Sequence, residues 1–436
     1  MLAYAPQPRA SRPVQGAAVR NPAIDALRGL AILCVVLLHV QIHIPQEQSL
    51  LGKVLPPALF NLVFRSGYYG VIIFFVISGF LITRAALERW GSLEAVPWKP
   101  FLRRRIARIY PCLALLVLIL AGLHWAEVPG FVVDNTSLAR AAASALALHL
   151  NWLEAQVGYL PAAWNVLWSL SIEEAFYLAF PLICMLALAA GRRALIVALL
   201  LFVGLGPFAR AAFSANEIWA DHAYLSGMDG IAIGCLAALY AASPARCARH
   251  GRRLLLAGTA LFSLVFLLRK TTHMLGLTGL GLNVTLLEIG VACLLIGWSR
   301  PRRAPRPNAI AAALRWAGQN SYEIYLTHMF PVLLLAAASC RNSGGVVSTW
   351  WRAGALTAAS VLAILLSAML GGVGGALLFD AHAPLADPAR PTMKRRTAAL
   401  FHAVRLAPLA PIRQGHREKA YDRLSSAAKT TRMNRT

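Results

Sequence analysis

The first side chains suited to chemistry are Arg28 and His39, which lie 11 residues apart in one apolar stretch. In a helix this spacing comes within about 20° of three full turns and covers a rise of about 16.5 Å. Both side chains therefore share one face of a predicted helix, at two depths. A guanidinium group binds anions and an imidazole acts as a base. The alternative is an arginine that anchors the helix end and a histidine that packs against a neighbouring helix.

Two adjacent acids, Glu173 and Glu174, lie in a second apolar stretch beside Ser169 and Ser171. Ionisable groups inside an apolar span are costly and by default indicate function. Adjacent helical residues point about 100° apart, so we expect only one of the two acids to face a common site. A protonated glutamate that bridges two helices is the alternative interpretation.

A basic cluster and a late apolar stretch complete the candidate groups. The basic cluster contains Arg104, Arg105 and Arg108, whose guanidinium groups suit phosphate binding or only mark one side of a membrane. In the late stretch, Tyr322 and His328 share a broad helical face, because they step by three through Tyr325. A packed tyrosine stripe with a structural histidine is the alternative for this stretch.

The composition indicates a membrane protein. Of the 436 residues, 58% are apolar and 14% are charged, and the mean hydropathy is +0.59. These values exclude a disordered chain, a disulfide scaffold and most soluble folds. We predict an all-α, polytopic membrane protein with about ten transmembrane helices, since about 20 apolar residues span a bilayer. The predicted spans lie near 24–43, 67–84, 106–124, 165–189, 194–213, 223–242, 254–268, 277–298, 311–337 and 350–379.

The distribution of basic residues predicts the orientation. Most of the 42 Lys and Arg residues fall in the loops and termini of one side, so both termini are predicted to be cytoplasmic. The net charge of +24 is then explained by topology and contact with anionic lipid, and we predict no nucleic-acid partner. The predicted organisation is a cytoplasmic arm over 1–20, a membrane domain over 21–380 and a basic, disordered cytoplasmic tail over 381–436.

Neither a metal nor a permanently bound cofactor is predicted. The seven cysteines form no paired framework and no metal-ligand spacing. The chain also lacks the glycine-rich loops that hold nucleotides in P-loop and dinucleotide-binding proteins.

Four segments carry a resemblance to a known family, and two weaker ones follow. In this order the chain resembles acyltransferase family 3, the integral-membrane acyltransferases of cell-surface glycans, over roughly residues 20–380. The four segments are NPAIDALRGL at 21–30 with His39, GVIIFFVISGFLIT at 70–83, RRIARIYP at 104–111 and WSLSIEEAFY at 168–177. The weaker two are MDGIAIG at 228–234 and GQNSYEIYLTH at 318–328.

The resemblance implies a bacterial inner-membrane enzyme that uses cytoplasmic acyl-CoA, most often acetyl-CoA, as co-substrate. The acceptor would be a hydroxyl of a cell-envelope glycan or lipid-linked sugar, such as a polysaccharide or lipopolysaccharide. By the same resemblance His39 is the catalytic residue, Arg28 its essential partner and Glu173 the acid of the fourth motif. The residues implied in reading the CoA phosphates are Arg104, Arg105 and Arg108.

Physical chemistry is consistent with these roles. An imidazole takes the proton of a hydroxyl that attacks a thioester, and a covalent acyl-histidine is the second possible route. The oxyanion needs donors, for which Ser78, Ser171 and Tyr322 are candidates, and His328 is a further site candidate.

The chain also departs from the family pattern. Ala175 stands where glutamine is common, and Gly227 stands where a basic residue often precedes the Met-Asp pair. The second departure puts an acceptor contact at that point in doubt. We also expect no extracytoplasmic esterase-like domain after Phe379, so the membrane domain completes the transfer or hands over to another protein.

The sequence is also compatible with other functions. One is a transporter or flippase of a lipid-linked sugar, which would use the same buried charges without covalent chemistry, and another is a non-catalytic membrane subunit. Among enzymes, a succinyltransferase or a small-molecule acyltransferase has the same sequence requirements.

Overall fold

The structure is a computed structural model that describes residues 21–279, 281–299 and 307–341. Within these ranges every element of secondary structure is a helix and there is no strand, which confirms the all-α prediction. The predicted arm over 1–20, the tenth span over 350–379 and the tail over 381–436 lie outside the described residues. Those three assignments stay predictions.

The first half of the described chain contains four long helices and several short ones between them. Asn21 begins the first helix by accepting a hydrogen bond from the Ala23 amide at 3.0 Å, with Pro22 in the first turn. The helices are α1 (Pro22–His43), α2 (Leu50–Val54), α3 (Pro57–Phe64), α4 (Gly67–Trp90), α5 (Trp98–Trp125), α6 (Leu138–Leu146), α7 (Leu150–Val157), α8 (Ala162–Asn165) and α9 (Trp168–Ala212).

Helix α9 is in fact two helices. Gly191 interrupts it with φ 82° and ψ 164°, a conformation that suits glycine. The helices that follow are α10 (Glu217–His222), α11 (Tyr224–Ala241), α12 (Pro244–Leu267), α13 (Arg269–Met274), α14 (Leu282–Trp298), α15 (Ala309–Gln319), α16 (Ser321–Thr327) and α17 (Met329–Arg341).

Seven helical segments of the described chain are long and apolar enough to cross a membrane. They correspond to the first seven predicted spans. The eighth predicted span is represented by α14, which has 17 residues and is shorter than a full crossing. The predicted number of ten is therefore not reached within the described residues. The seven segments are Pro22–His43, Gly67–Trp90, Trp98–Trp125, Ala162–Leu186, Ala189–Ala212, Glu217–Ala241 and Pro244–Leu267.

The ninth predicted span, 311–337, is not one continuous helix. Asn320 has φ −108° and ψ 18°, which are not helical, and its side chain donates to the Trp316 carbonyl at 2.8 Å. An asparagine that bonds its own backbone competes with helix continuation. A second interruption at His328 separates α16 from α17. In this broken segment Tyr322 lies on the short helix α16, and His328 lies directly after its last residue.

Helix α4 packs against α1, α11 and α14. Its approach to α11 is close because two glycines face the partner backbone. A Cβ on Gly79 would overlap the Ile231 carbonyl, and one on Gly234 would overlap the Val76 carbonyl. Small residues at such crossings let helix backbones approach within van der Waals contact.

Helix α1 is held by residues from the far end of the described chain. It packs along α15, where a Cβ on Gly29 would overlap the Leu314 carbonyl and one on Gly318 the Asp25 carbonyl. At its start, the Asn21 amide donates to the Trp298 carbonyl at 2.8 Å. Helix α1 thereby presents its polar face to α16 and α17.

The connection between α5 and α9 is fixed by a buried carboxyl group. Glu154 on α7 accepts from the Leu160 amide at 3.2 Å, and His222 lies 3.5 Å from its second oxygen. With its amide turned to donate, Asn165 reaches both carboxyl oxygens at 3.1 Å. Burial raises the pKa of Glu154 well above its usual range. This group ties α7 to α8 and to the end of α10.

Candidate functional site

A cavity of about 490 Å³ opens between α1, α4, α5, α9, α15 and α16, and we call it the arginine pocket. Its lining combines apolar walls, including Phe74 and Ile77, with many ionisable groups. The arginines are Arg28, Arg84, Arg89, Arg104, Arg105 and Arg108. The acids are Asp25, Glu88, Glu173, Glu174 and Glu323.

Seven of the ten site residues predicted from the sequence line this pocket. They come from separate elements, so the fold brings together motifs that are far apart along the chain. They are Arg28 on α1, Ser78 on α4, Arg104, Arg105 and Arg108 on α5, Glu173 on α9 and Tyr322 on α16.

The expectation that only one of the two adjacent acids faces the site is wrong. Both Glu173 and Glu174 border the arginine pocket. Their side chains do diverge on the helix, but the cavity is wide enough to contact more than one face of α9.

One wall of the pocket links α4, α5 and α9. Ser78 and Tyr177 are hydrogen bonded through their hydroxyl groups, and Ser78 also interacts with the Glu173 carboxyl group. The guanidinium carbon of Arg105 lies 4.3 Å from the centre of the Tyr177 ring and 5.9 Å from that of Phe101. Cation–π contact of this kind orients an arginine at the edge of a cavity.

The opposite wall joins α1 to the broken segment. Arg28 donates through Nη2 to the Ser321 hydroxyl at 2.8 Å. The Gln319 amide donates to the Asp25 carboxylate at 3.2 Å. Tyr322 donates to the Ile109 carbonyl at 3.2 Å, which ties α16 to α5. The residues of GQNSYEIYLTH thus position the Arg28 side chain.

Tyr325 and Ser169 form a hydrogen-bonded pair in the lining. The Tyr325 hydroxyl donates to the Val166 carbonyl at 2.6 Å. Because that bond uses the only hydroxyl proton of the tyrosine, the Ser169 hydroxyl, at 2.7 Å, must donate to the Tyr325 oxygen. This pair connects the pocket to the residues that follow Tyr325.

His39 and His328 meet beyond Tyr325. The Nδ1 of His39 lies 3.2 Å from the Nε2 of His328, and the two ring centres are 4.9 Å apart. The Nδ1 of His39 is also 2.9 Å from the Val35 carbonyl oxygen. The sequence predicted that Arg28 and His39 share one face of α1, and both indeed face the broken segment.

Ser171, the remaining predicted residue, lies elsewhere. Its oxygen accepts from the Leu150 amide at 3.2 Å and its hydroxyl lies 3.4 Å from the Leu167 carbonyl. The residue is 1% exposed. Ser171 therefore joins α7 to α9, and we do not carry it forward as an oxyanion donor.

A second charged region lies apart from the pocket lining, and we call it the closed cluster: Arg210, Asp229 and Glu288. Arg210 donates to Asp229 at 2.7 Å, to the Thr285 hydroxyl at 2.8 Å and to the Ser226 carbonyl at 2.7 Å. Glu288 is fully buried beside this pair. Arg210 thus supplies Asp229 with a basic partner, although Gly227 stands where the family often has one.

Several residues of these two regions were not among the predicted site residues. Arg84, Arg89 and Tyr177 line the pocket, and Arg210 enters the closed cluster from the far end of α9. The signal for Tyr177 was present, because it ends the WSLSIEEAFY segment. Arg84 and Arg89 follow an apolar span, where arginine is common for reasons of topology alone.

The arrangement has a clear chemical capacity. Six guanidinium groups around one cavity suit a multiply charged phosphate ligand, and the apolar wall suits an uncharged arm of that ligand. His39 supplies a nitrogen base about three turns further along α1 than Arg28, which lines the pocket. Within the described residues, no group of three or more His, Cys, Asp and Glu side chains is placed to hold a metal.

Known proteins resemble this chain over its membrane part. A family model described as an acyltransferase domain matches residues 21–369. The peptidoglycan O-acetyltransferase OatA of Listeria monocytogenes is 27% identical over 215 residues, 48% of this chain and 30% of that protein. The O-acetyltransferase OatA of Staphylococcus aureus is 29% identical over 168 residues, 37% of this chain and 24% of that protein.

The matched region spans less than a third of the length of each of these relatives. No solved structure matches the chain. The family match, however, covers most of the chain and includes every segment that lines the arginine pocket. The chain is therefore a multi-pass membrane protein that belongs to acyltransferase family 3.

Proposed function

We propose that this protein is a membrane O-acyltransferase that moves an acetyl group from acetyl-CoA to a hydroxyl of a cell-envelope glycan or lipid-linked sugar. The observation that carries the proposal is the placement of one helix, α1, along both parts of the site. Its Arg28 lines the arginine pocket, and its His39 lies about 16.5 Å further along the same face.

The arginine pocket is the proposed acetyl-CoA site. Arg104 and Arg105 are adjacent on α5, Arg108 follows about one turn later, and all three line the same cavity. Guanidinium groups bind phosphate oxygens in pairs, and CoA carries several phosphates. The apolar wall formed by Phe74 and Ile77 would contact the pantetheine arm, whose thioester then points toward Tyr325 and the histidines.

The transfer step follows from the position of His39. The acceptor hydroxyl gives its proton to His39 Nε2 while its oxygen attacks the thioester carbonyl carbon. The new C–O bond forms, the C–S bond breaks, and the thiolate of CoA takes the proton back from His39 as it leaves. Among the hydroxyl groups predicted as oxyanion donors, those of Ser78 and Tyr322 line the pocket.

The acceptor class rests on the relatives. The Listeria protein is named as a peptidoglycan O-acetyltransferase, and the staphylococcal one as an O-acetyltransferase. A hydroxyl of a cell-envelope glycan, or of its lipid-linked precursor, is therefore the acceptor that we propose.

The proposed setting is a bacterial inner membrane with both termini in the cytoplasm. In this orientation α5 begins at the cytoplasmic face, so the arginine pocket opens toward soluble acetyl-CoA. The proposed organisation is a cytoplasmic arm over 1–20, the membrane domain over 21–380 and a cytoplasmic tail over 381–436.

The test uses inside-out vesicles that contain the protein and receive acetyl-CoA labelled in the acetyl group. We expect label in the glycan or lipid-linked sugar fraction with the native protein and none with His39→Ala. The control is His273→Ala, which removes an exposed histidine of α13 and should leave labelling unchanged.

The other outcomes separate the rival functions. Equal labelling with a well-folded His39→Ala protein would remove His39 from catalysis. Labelling from succinyl-CoA but not from acetyl-CoA would change the donor class. Export of unlabelled lipid-linked sugar without any thioester cleavage would support the transporter function.

The orientation has its own test on the second helix of α9. Single cysteines at Arg193 and Ser214, which are both exposed near opposite ends of this helix, are treated with an impermeant maleimide in intact spheroplasts. We expect labelling of Ser214→Cys and protection of Arg193→Cys. The opposite pattern would invert the topology and place the arginine pocket on the outer face.

A further inference from the structure

The histidine pair has a hydrogen-bond pattern that fixes where its protons lie. The Nδ1 of His328 is 2.7 Å from the Tyr325 carbonyl oxygen, and a carbonyl only accepts. His328 Nδ1 must therefore carry a proton. In the neutral ring the other nitrogen, Nε2, is then an acceptor, and it faces His39.

The same reasoning applies to His39. Its Nδ1 lies between two acceptors, the Val35 carbonyl at 2.9 Å and the Nε2 of His328 at 3.2 Å. His39 Nδ1 must also carry a proton, which it shares between them. The proton-free nitrogen of neutral His39 is therefore Nε2, the atom that the proposed transfer step needs as a base.

From this geometry we propose that His328 is a positioning residue for acyl transfer: its Nε2 accepts the Nδ1–H of His39 and stabilises the imidazolium that forms when His39 takes the acceptor proton. The inference rests on the proposed function and assigns to a neutral histidine the place that a carboxylate holds in a Ser-His-Asp triad.

The pair is suited to hold one added proton and not two. If both rings were protonated, His328 Nε2–H and His39 Nδ1–H would point at each other at 3.2 Å. His43, one turn further along α1, is the other ionisable group that acts on both rings within the described chain. A single proton is also what one hydroxyl releases, so the capacity of the pair matches the reaction.

Glu173, which the family resemblance implies as the acid of the fourth motif, has a different environment. It lies in the arginine pocket with Ser78 and Arg105, and Ser78 interacts with its carboxyl group. The group that bonds His39 is His328, which the ring nitrogens identify directly. The two residues therefore make separate predictions.

Two substitutions test the roles of the two ring nitrogens of His328 separately. In His328→Asn the side-chain amide reaches the Nδ1 position and keeps the bond to Tyr325, but nothing occupies the Nε2 position. In His328→Gln the amide oxygen reaches the Nε2 position and accepts from His39. Each variant is first checked for folding by its elution as a single species in detergent.

We expect His328→Asn to lower kcat by about 10- to 100-fold, the effect of losing one hydrogen bond to a charged group. The KM for acetyl-CoA should stay within about twofold, because the arginine pocket is intact. We expect His328→Gln to recover most of the kcat. The low-pH limb of the kcat profile should move to lower pH in the asparagine variant and return in the glutamine variant, because the base loses and regains an acceptor that favours its charged form.

If His328 had a purely structural role, kcat would fall alike in both variants and the low-pH limb of the kcat profile would not move. This result would overturn the inference. Wild-type kcat in a folded His328→Asn protein would also overturn it. Failure of the proposed function itself has a different signature, since the native protein would then transfer no acetyl group from acetyl-CoA. If His328→Asn does not fold, the kcat of His328→Gln decides: it should be close to that of the native protein, and a loss of about tenfold or more with an unmoved pH limb would overturn the inference.

Discussion

Two regions of the helix bundle hold ionised side chains, and they differ in what these charges face. In the arginine pocket the charged groups border a cavity of about 490 Å³. In the closed cluster, Arg210 and Asp229 face each other at 2.7 Å, and their side chains are 5% and 0% exposed. The first arrangement leaves charge available to a ligand, while the second satisfies it within the protein.

This difference limits what an intramembrane charge indicates. From sequence alone, Asp229 and Glu288 are as strong functional candidates as Glu173, because all three lie in apolar stretches. The structure distinguishes these residues by whether a cavity lies next to the carboxyl group. A residue next to a cavity can meet a ligand, whereas a fully enclosed pair contributes to the fold and is costly to break.

The largest effect is expected when the closed cluster is broken. Asp229→Leu leaves Arg210 charged and buried without its partner, which should lower the free energy of unfolding by about 3–5 kcal/mol. The protein should then aggregate when it is extracted into detergent. The measurement is the monodisperse fraction in size-exclusion chromatography.

A double variant sharpens this result. Asp229→Leu combined with Arg210→Met removes both charges and should restore most of the monodisperse protein. If the double variant is as unstable as the single one, the cluster has a role beyond pairing its own charges.

The second effect concerns ligand affinity in the arginine pocket. Arg105→Ala removes a guanidinium group that lies on the Tyr177 ring, and we expect the KM for acetyl-CoA to rise about tenfold or more, with a smaller change in kcat. Arg192→Ala, at an exposed turn between the two helices of α9, is the control. A fall in kcat at unchanged KM would contradict phosphate binding by Arg105.

The third effect compares one glycine from each region. Gly318→Ala places a Cβ against the Asp25 carbonyl and forces α15 away from α1, which should cost about 1–3 kcal/mol and displace Ser321 from Arg28. In Gly230→Ala the added Cβ meets side chains and no backbone: the carboxyl oxygen of Glu288 at 2.8 Å and the Cβ of Phe75 at 3.3 Å.

We therefore expect Gly318→Ala to lower both the melting temperature and the acyl-transfer rate of the protein that remains folded. Gly230→Ala should lower only the melting temperature. Equal loss of rate in the two variants would show that the two regions are coupled.

The smallest effect lies on the surface, outside both regions. Glu47 accepts from Gln41 at 2.7 Å and from Arg65 at 3.1 Å, and these bonds lower the pKa of its carboxyl group. Because the side chains of the ion pair are about half exposed, Glu47→Gln should cost only about 0.2–1 kcal/mol. Because the pKa of Glu47 is lowered in the folded protein, the stabilisation by its carboxylate is present above the ordinary pKa of 4.5. This stabilisation disappears as the pH falls through the lowered pKa.

The check is the difference in melting temperature between Glu47→Gln and the native protein at pH 7 and at pH 3.5. The difference should shrink at the lower pH. A larger difference at pH 3.5 would reverse the sign of the argument.

The sequence predicted which residues share a helical face better than it predicted the hydrogen-bond partners of those residues. The spacing of Arg28 and His39 fixed a common face because helical geometry is local, and the structure keeps both toward the broken segment. The pairing of His39 with His328 joins residues 289 positions apart. A helical repeat relates only residues that are near in sequence, so it could not predict this pairing. The pairing results from the packing of α1 against α16 and α17.

The departures have physical causes of the same kind. The continuous ninth helix was wrong because hydropathy does not register the backbone competition at Asn320. The partner of Asp229 was missed because Arg210 lies at the end of an apolar span, where composition alone indicates topology. The orientation of the bundle and its total number of spans stay predictions.

The bonds of α1 also determine the order in which the protein can be completed. Asn21, Arg28 and His39 bind residues 277, 293 and 289 positions later in the chain. At about 5–20 residues per second, the ribosome needs roughly 15–60 s to supply those partners. For that time the nascent helix resides in the bilayer without the later residues that Arg28 and His39 contact in the folded chain, so its biogenesis calls for a membrane insertase or chaperone that shields these two side chains. A stop codon anywhere before Ser321 would yield a bundle in which Arg28 never meets Ser321 and His39 never meets His328.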